Sequence, residues 1–245
     1  MMPSSLKREG LLVIDKSVGP TSFDVVRDVK RLSGGEKVGH TGSLDPFASG
    51  VLVLLLGKAT RLSQSLLDAD KVYRAKLQLG IATNTLDRTG EVSQTKDVPQ
   101  LSRDIVLEVL KKFEGVWEQV PPAYSAKKIN GVRLYELARQ DIHVKLNPIP
   151  VRLFRVDLIS FESPVIEFEV HCSKGTYVRS LAAEIGLRLG TVAHLIELRR
   201  LMCGSFSIEQ SVTVQGFSEQ TQDQLKIGYS NYVKYLRFCT EKYAN

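Results

Sequence analysis

The sequence predicts an α+β fold: a mixed, mainly antiparallel sheet flanked by helices. Three observations carry that prediction. Lys71 to Leu79 alternates strictly, with Tyr73, Ala75, Leu77 and Leu79 on one side and Val72, Arg74, Lys76 and Gln78 on the other, the period-two signature of a half-buried strand. Val151 to Phe161 and Val165 to Cys172 are both strand-like, and the gap between them is too short for a parallel crossover, so they pair antiparallel. Helical stretches lie among the strands without the regular βα alternation of a parallel sheet.

The elements follow in order. Leu11 to Asp15 is a short strand and Lys16 to Pro20 a turn. Thr21 or Ser22 caps a helix with apolar positions Phe23, Val25, Val26, Val29 and Leu32, ended by Gly34-Gly35. Val51 to Leu56 is an unbroken apolar run of buried-strand length, and Ala59 to Leu67 is helical. Asn84 to Gly90 is a loop, and Ser102 caps a helix through Phe113. Trp117 and Val120 lie in a short strand before Pro121-Pro122, and Gly131 to Arg139 starts or forms a short helix. A helix runs from about Thr176 to Leu189. Thr191 to Leu201 includes a second short helix, Ser205 to Ile208 a last strand, and Tyr229 to Tyr243 an amphipathic helix. No repeat, low-complexity run or interdomain linker interrupts the chain. Residues 1–10 read as a flexible tail and 11–245 as one domain.

Composition narrows the function. The 245 residues are 43% hydrophobic and 24% charged, values of a folded globular protein. No apolar run approaches the ~18 residues that span a bilayer, and the N-terminus lacks the apolar core of a secretory signal. Three widely spaced cysteines, Cys172, Cys203 and Cys239, fit a reducing cytoplasm better than a disulfide framework. The histidines His40, His143, His171 and His194 lack metal-ligand spacing, so no metal is expected. The net charge is +6, and the segment Pro121 to Arg155 holds +5 of it. Its bases are Lys127, Lys128, Arg133, Arg139, Lys145, Arg152 and Arg155, against Glu136 and Asp141. Such a stripe suits a polyanion such as RNA; it also suits a solubilising face.

The chemistry concentrates in Gly39-His40-Thr41-Gly42-Ser43-Leu44-Asp45-Pro46-Phe47-Ala48-Ser49-Gly50. One acid sits among glycines and hydroxyls, directly before the apolar strand. Glycine lets the backbone approach a ligand, and Pro46 keeps Asp45 out of a helix. A lone acid in a rigid small-residue loop is a way to present a nucleophile or base to a bulky substrate; the same residues also build an ordinary turn with a solvated acid. Walker loops, GxGxxG before a helix and a nucleophile elbow are missing. On pattern alone Tyr73 reads as a core tyrosine.

Five ordered blocks resemble the pseudouridine synthases of the TruB type, which modify uridine 55 in the T loop of tRNA. They are Gly39 to Leu52, Lys71 to Ala75, Pro121 to Arg139, Ser173 to Arg179 and Leu198-Arg199-Arg200. The resemblance implies the pseudouridine synthase fold and assigns roles. Asp45 is the catalytic aspartate that detaches the uracil, which rotates and reattaches through C5. Tyr73 stacks on the base, Arg179 pairs with Asp45, and His40 helps to open the T loop or fills the place of the extruded base. Lys16, Tyr177 and Leu198 line the pocket. The basic segment, with Lys127, Lys128 and Arg133, grips RNA as a thumb-like insertion. It implies base flipping, no cofactor, a tRNA T-arm as the partner and a monomer. A tRNA chaperone without chemistry would share the RNA surface, but has no need for Asp45, Tyr73 and Arg179. A phosphate cradle would need a helix N-terminus after the loop, where a strand is expected. Two departures stand out. Asn84 occupies a position where many relatives carry an acid, with Asp87 retained, and the C-terminal PUA domain of longer relatives is expected to be absent.

Overall fold

The computed structural model describes residues 10–125, 127–129, 131–140, 142 and 144–216. His143 and the expected helix Tyr229 to Tyr243 lie outside the described residues. The chain divides into two compact units, one of residues 1–69 and 200–245, the other of residues 70–199.

In the first unit, β1 (Gly10–Lys16) pairs antiparallel with β3 (Ser49–Leu56), and β2 (Val38–His40) pairs with the far end of β3. Both faces of the β1–β3 ribbon are covered. Leu12, Ile14, Leu52, Leu54 and Leu56 meet Val25, Val26 and Val29 of α1 (Ser22–Leu32). Leu11, Val13, Val51, Val53 and Leu55 meet Ala59, Leu66, Cys203 and Phe206. Burial on both sides explains why Val51 to Leu56 is a continuous apolar run rather than an alternating one. Thr21 caps α1 in a capping box with Asp24. Two expected apolar positions of this helix are corrected: Phe23 is 68% and Leu32 37% exposed. Ser22, Val25, Val26 and Val29 form the buried arc. A 3₁₀ turn (Gly57–Leu62) and α2 (Ser63–Leu67) complete the segment expected as one helix.

In the second unit, β4 (Lys71–Leu79), β11 (Val165–Cys172), β10 (Ile149–Glu162) and β7 (Gly115–Gln119) lie side by side in that order, each pair antiparallel. The alternation read for β4 is observed, with Tyr73, Ala75, Leu77 and Leu79 buried. A small pair, β5 (Ile81–Thr83) and β6 (Val92–Thr95), precedes α3 (Arg103–Lys111), which Ser102 caps as expected. A hairpin of β8 (Lys128–Ile129) and β9 (Val132–Arg133) leads into α4 (Leu134–Ala138). The expected helix from Gly131 is thus shortened. Asn130-Gly131 is a two-residue hairpin signal that the helix reading passed over. Helix α5 spans Val178–Arg188.

The expected second helix within Thr191 to Leu201 is wrong. That stretch is β12 (Ala193–Cys203), which passes from the second unit into the first and ends in a turn to β13 (Phe206–Ser207). Leu198 and Arg200 are buried in it while Glu197 is exposed, a period of two. The inward residue is an arginine, so hydrophobicity alone hides the alternation.

Candidate active site

In the first unit the loop from His40 to Ala48 connects β2 to β3 and carries Asp45. Its backbone is tied down on both sides of the acid. Thr41 N–H donates to Val53 O at 3.1 Å. The Ser22 hydroxyl, at the start of α1, accepts from Leu44 N–H at 2.8 Å and donates to Leu44 O at 3.1 Å. Gly19 N–H donates to Pro46 O at 2.8 Å, and Ala48 N–H to Asp45 O at 3.1 Å. The Arg200 side chain is 1% exposed and reaches three carbonyls: Nε donates to Val51 O at 2.6 Å, Nη2 to Gly42 O at 3.1 Å and Nη1 to Ser43 O at 3.5 Å. Two glycines with positive φ stand at this approach, and at the second only a glycine fits. Gly42 has φ +120° with Arg200 Nη1 3.9 Å from where a Cβ would stand. At Gly50, φ +105°, a Cβ would overlap the Arg200 backbone.

Lys16 and His40 belong to the same neighbourhood. Lys16 is fully buried and donates through Nζ to Ser17 O at 3.0 Å and Pro20 O at 2.8 Å, fixing the turn whose Gly19 holds Pro46. Burial lowers its pKa from 10.5 to about 8; the Asp45 carboxylate opposes that shift, and the Arg200 guanidinium adds to it. Burial first, then Arg200, lowers the pKa of His40. His40 Nδ1 accepts the Gly42 N–H at 3.3 Å, which assigns the proton of the neutral ring to Nε2. The structure therefore brings together three sequence-predicted residues, Lys16, His40 and Asp45. Arg200 joins them as a residue whose role the sequence reading missed.

In the second unit Tyr73 is buried on β4 and Leu198 on β12, while Tyr177 and Arg179 stand at the start of α5. Gln119, fully buried, sets that start: its Nε2 donates to Gly175 O at 2.6 Å and its Oε1 accepts from Tyr177 N–H at 2.9 Å. Nothing in the sequence distinguishes this glutamine. The Arg179 guanidinium donates to Tyr124 O at 2.9 Å and Thr85 O at 3.0 Å, and pairs with Asp87 at 3.5 Å. Asp87 Oδ1 accepts from Thr85 Oγ1 at 2.8 Å, Thr89 N–H at 2.9 Å and Thr89 Oγ1 at 2.5 Å. Asn84 fits the same loop without an acid: its Oδ1 accepts Glu91 N–H at 3.1 Å. Lys127 O accepts from Leu134 N–H at 2.8 Å, bracing the segment ahead of α4. The Lys128 and Arg133 side chains lie outside what is described.

The site is an acid-bearing loop fastened on both sides of Asp45, with the buried Lys16 and Arg200 in its neighbourhood. Two family models cover most of the chain: the N-terminal domain of TruB family pseudouridylate synthases matches residues 30–178, and the C-terminal domain of tRNA pseudouridylate synthase B matches residues 179–237. The tRNA pseudouridine synthase B of Syntrophobacter fumaroxidans is 48% identical over 214 residues, 87% of this chain and 70% of that protein. That of Clostridium tetani is 40% identical over 235 residues, 96% and 81% of the two chains. Among solved structures, a Cbf5-Nop10-Gar1 complex matches with a TM-score of 0.67 at 34% identity, over 85% of this chain and 53% of that one. An H/ACA RNP bound to a substrate RNA containing 2'-deoxyuridine gives 0.65 at 30% identity, over 90% and 57%. The chain spans about half the length of these solved chains. The chain belongs to the TruB family of pseudouridylate synthases, and the mixed, mainly antiparallel α+β fold is that of its solved neighbours.

Proposed function

We propose that this protein isomerises uridine 55 in the T loop of tRNA to pseudouridine, with Asp45 as the catalytic group. The observation that supports it most is the Asp45 loop itself, held by Ser22, Gly19 and Arg200 within the segment that the family model matches. The reaction is an internal transfer. The ribose C1′–N1 bond breaks with the help of Asp45, C1′ bonds to C5, the C5 proton leaves and N1 gains one. Atoms and electrons balance without a redox partner, so no cofactor is required. The base must leave the RNA stack first, at a cost of a few kcal/mol. Stacking on Tyr73 and phosphate contacts from Lys127, Lys128 and Arg133 offset that cost. Arg179 pairs with Asp45 during the reaction, His40 helps to open the T loop, and Lys16, Tyr177 and Leu198 shape the pocket. The protein acts as a monomer in the cytoplasm.

The test is pseudouridine formation in a short T-arm stem-loop RNA, comparing the native protein with Asp45→Asn. Product from the native protein alone, at the T-loop uridine, with RNA binding retained by the variant, is the expected result. Product from both proteins would remove Asp45 from the chemistry. Tight binding without product from either would turn the reading towards an RNA chaperone.

A further inference from the structure

We infer that Arg200 is a positioning residue for catalysis: its buried guanidinium clamps the carbonyls on either side of the Asp45 loop and so sets where the carboxylate stands. The inference rests on the proposed role of Asp45. Arg200 is among the largest fully buried side chains, and an arginine is rarely buried without a specific arrangement of acceptors. Here the acceptors are neutral backbone carbonyls. Gly42 O and Ser43 O precede Asp45 by three and two residues, and Val51 O follows it by six. One planar fork therefore spans the loop from its entry to the strand that leaves it, a geometry for which a lysine point charge is a poor substitute.

The backbone supports the same reading. Gly50 packs so closely on the Arg200 main chain that any side chain there would overlap it. The start of β3 and this part of β12 are thus fixed to each other before the side chain reaches the loop. Ser22 and Gly19 secure Leu44 and Pro46, the residues directly before and after Asp45. Asp45 lies between two anchors on each side, and the Arg200 anchor is the charged one. That charge reaches the neighbours of the acid as well: burial is the main cause that lowers the pKa of His40 and of Lys16, and the Arg200 guanidinium adds to it in both.

A displaced acid should bind RNA normally and react slowly, because a shift on the order of 1 Å at a reacting group costs about 10²-fold in rate. The experiment is single-turnover pseudouridine formation at saturating T-arm RNA, with RNA affinity measured separately, for the native protein, Arg200→Lys and Arg200→Gln. The expected result is a rate loss of about 10-fold or more in both variants, with affinity within about twofold of native. The lysine should recover little of the loss, because it keeps the charge but not the fork. The His40 ring gives a further readout by NMR titration: its pKa should rise in Arg200→Gln, where the repelling charge is gone, and less in Arg200→Lys. Native rates in either folded variant would overturn the inference, as would losses confined to affinity. Failure of both variants to fold would also overturn it, leaving Arg200 a core residue. Failure of the underlying reading would appear elsewhere, as an inactive native protein or an active Asp45→Asn variant.

Discussion

Two loops in this protein each carry one acid, and they are built in opposite ways. The Asp87 loop is organised by its own carboxylate, which takes two hydroxyls, an amide and a guanidinium. The Asp45 loop is organised through its backbone by residues remote in sequence: Ser22, Gly19 and Arg200 hold Leu44, Pro46, Gly42 and Ser43. In the first loop the acid is the fastening. In the second, residues from α1, the turn after β1 and β12 fasten the backbone on both sides of the acid. Fastening the backbone through other residues fixes where the acid stands, which is what the role proposed for Asp45 requires.

The largest expected effects separate the two acids. Asp45→Asn should abolish turnover while changing stability less than the corresponding change at Asp87. Asp87→Asn should cost about 3 kcal/mol of stability, because it removes the carboxylate that the Arg179 guanidinium, about 5% exposed, pairs with in this loop. Urea unfolding and single-turnover rates, measured on both variants, decide the matter. A stable Asp87→Asn protein, or an Asp45→Asn protein with the larger stability loss, would dissolve the distinction.

The contrast also marks what the sequence reveals. Strands with regular alternation, such as β4, and helices with polar caps, such as α1 and α3, are legible because their signals are local. The Asp45 loop is legible because glycine, proline and a lone acid occur together within twelve residues. Its fastenings are not. Ser22 reads as a helix cap, yet its hydroxyl is spent on Leu44, 22 residues away. Arg200 falls in a block of the family resemblance but receives no role there, and its charge conceals the strand that carries it; its partners lie 149 to 158 residues away. Gln119 gives no signal, although it sets the start of α5 from 56 residues off. Contacts of this range follow from the fold and cannot be recovered from spacing. The family resemblance locates the acid without showing what holds it.

A smaller effect tests whether grip and chemistry are separable. The basic stripe Pro121 to Arg155 belongs to the unit of the Asp87 loop and not to that of the Asp45 loop. Replacing Lys127 and Lys128 with alanine should weaken RNA binding and lower the slope of log affinity against log salt by up to about two, with roughly 0.7–0.9 expected for each phosphate that is no longer neutralised. The rate at saturating RNA should stay within about threefold of native, as expected of residues that position the backbone rather than act on the base. Filter binding across a salt series measures the slope. An unchanged slope would move the RNA path away from these lysines, and a large rate loss at saturation would join the stripe to the chemistry.

The smallest effect concerns how the floor of the Asp45 loop is held. Lys16 is buried with its pKa near 8, so the folded protein releases this proton more easily than the unfolded chain, where the value is 10.5. Below about pH 8 both states hold the proton and the cost of burying the charge is fully present. From about pH 8 to about pH 10.5 the unfolded chain binds more protons than the folded one, so this group makes stability rise with pH. Lys16→Met removes the proton and the bonds to Ser17 O and Pro20 O together. Losing those bonds adds an offset that is nearly constant while the lysine stays charged. The pH slope is the diagnostic quantity. The stability of the native protein relative to Lys16→Met should increase between about pH 7 and about pH 10, measured by urea unfolding at each pH. A flat or falling difference would mean that the ammonium keeps its ordinary affinity for the proton. The turn at Ser17 to Pro20, which secures Pro46 through Gly19, would then be held by hydrogen bonds to a charge that is not penalised by burial.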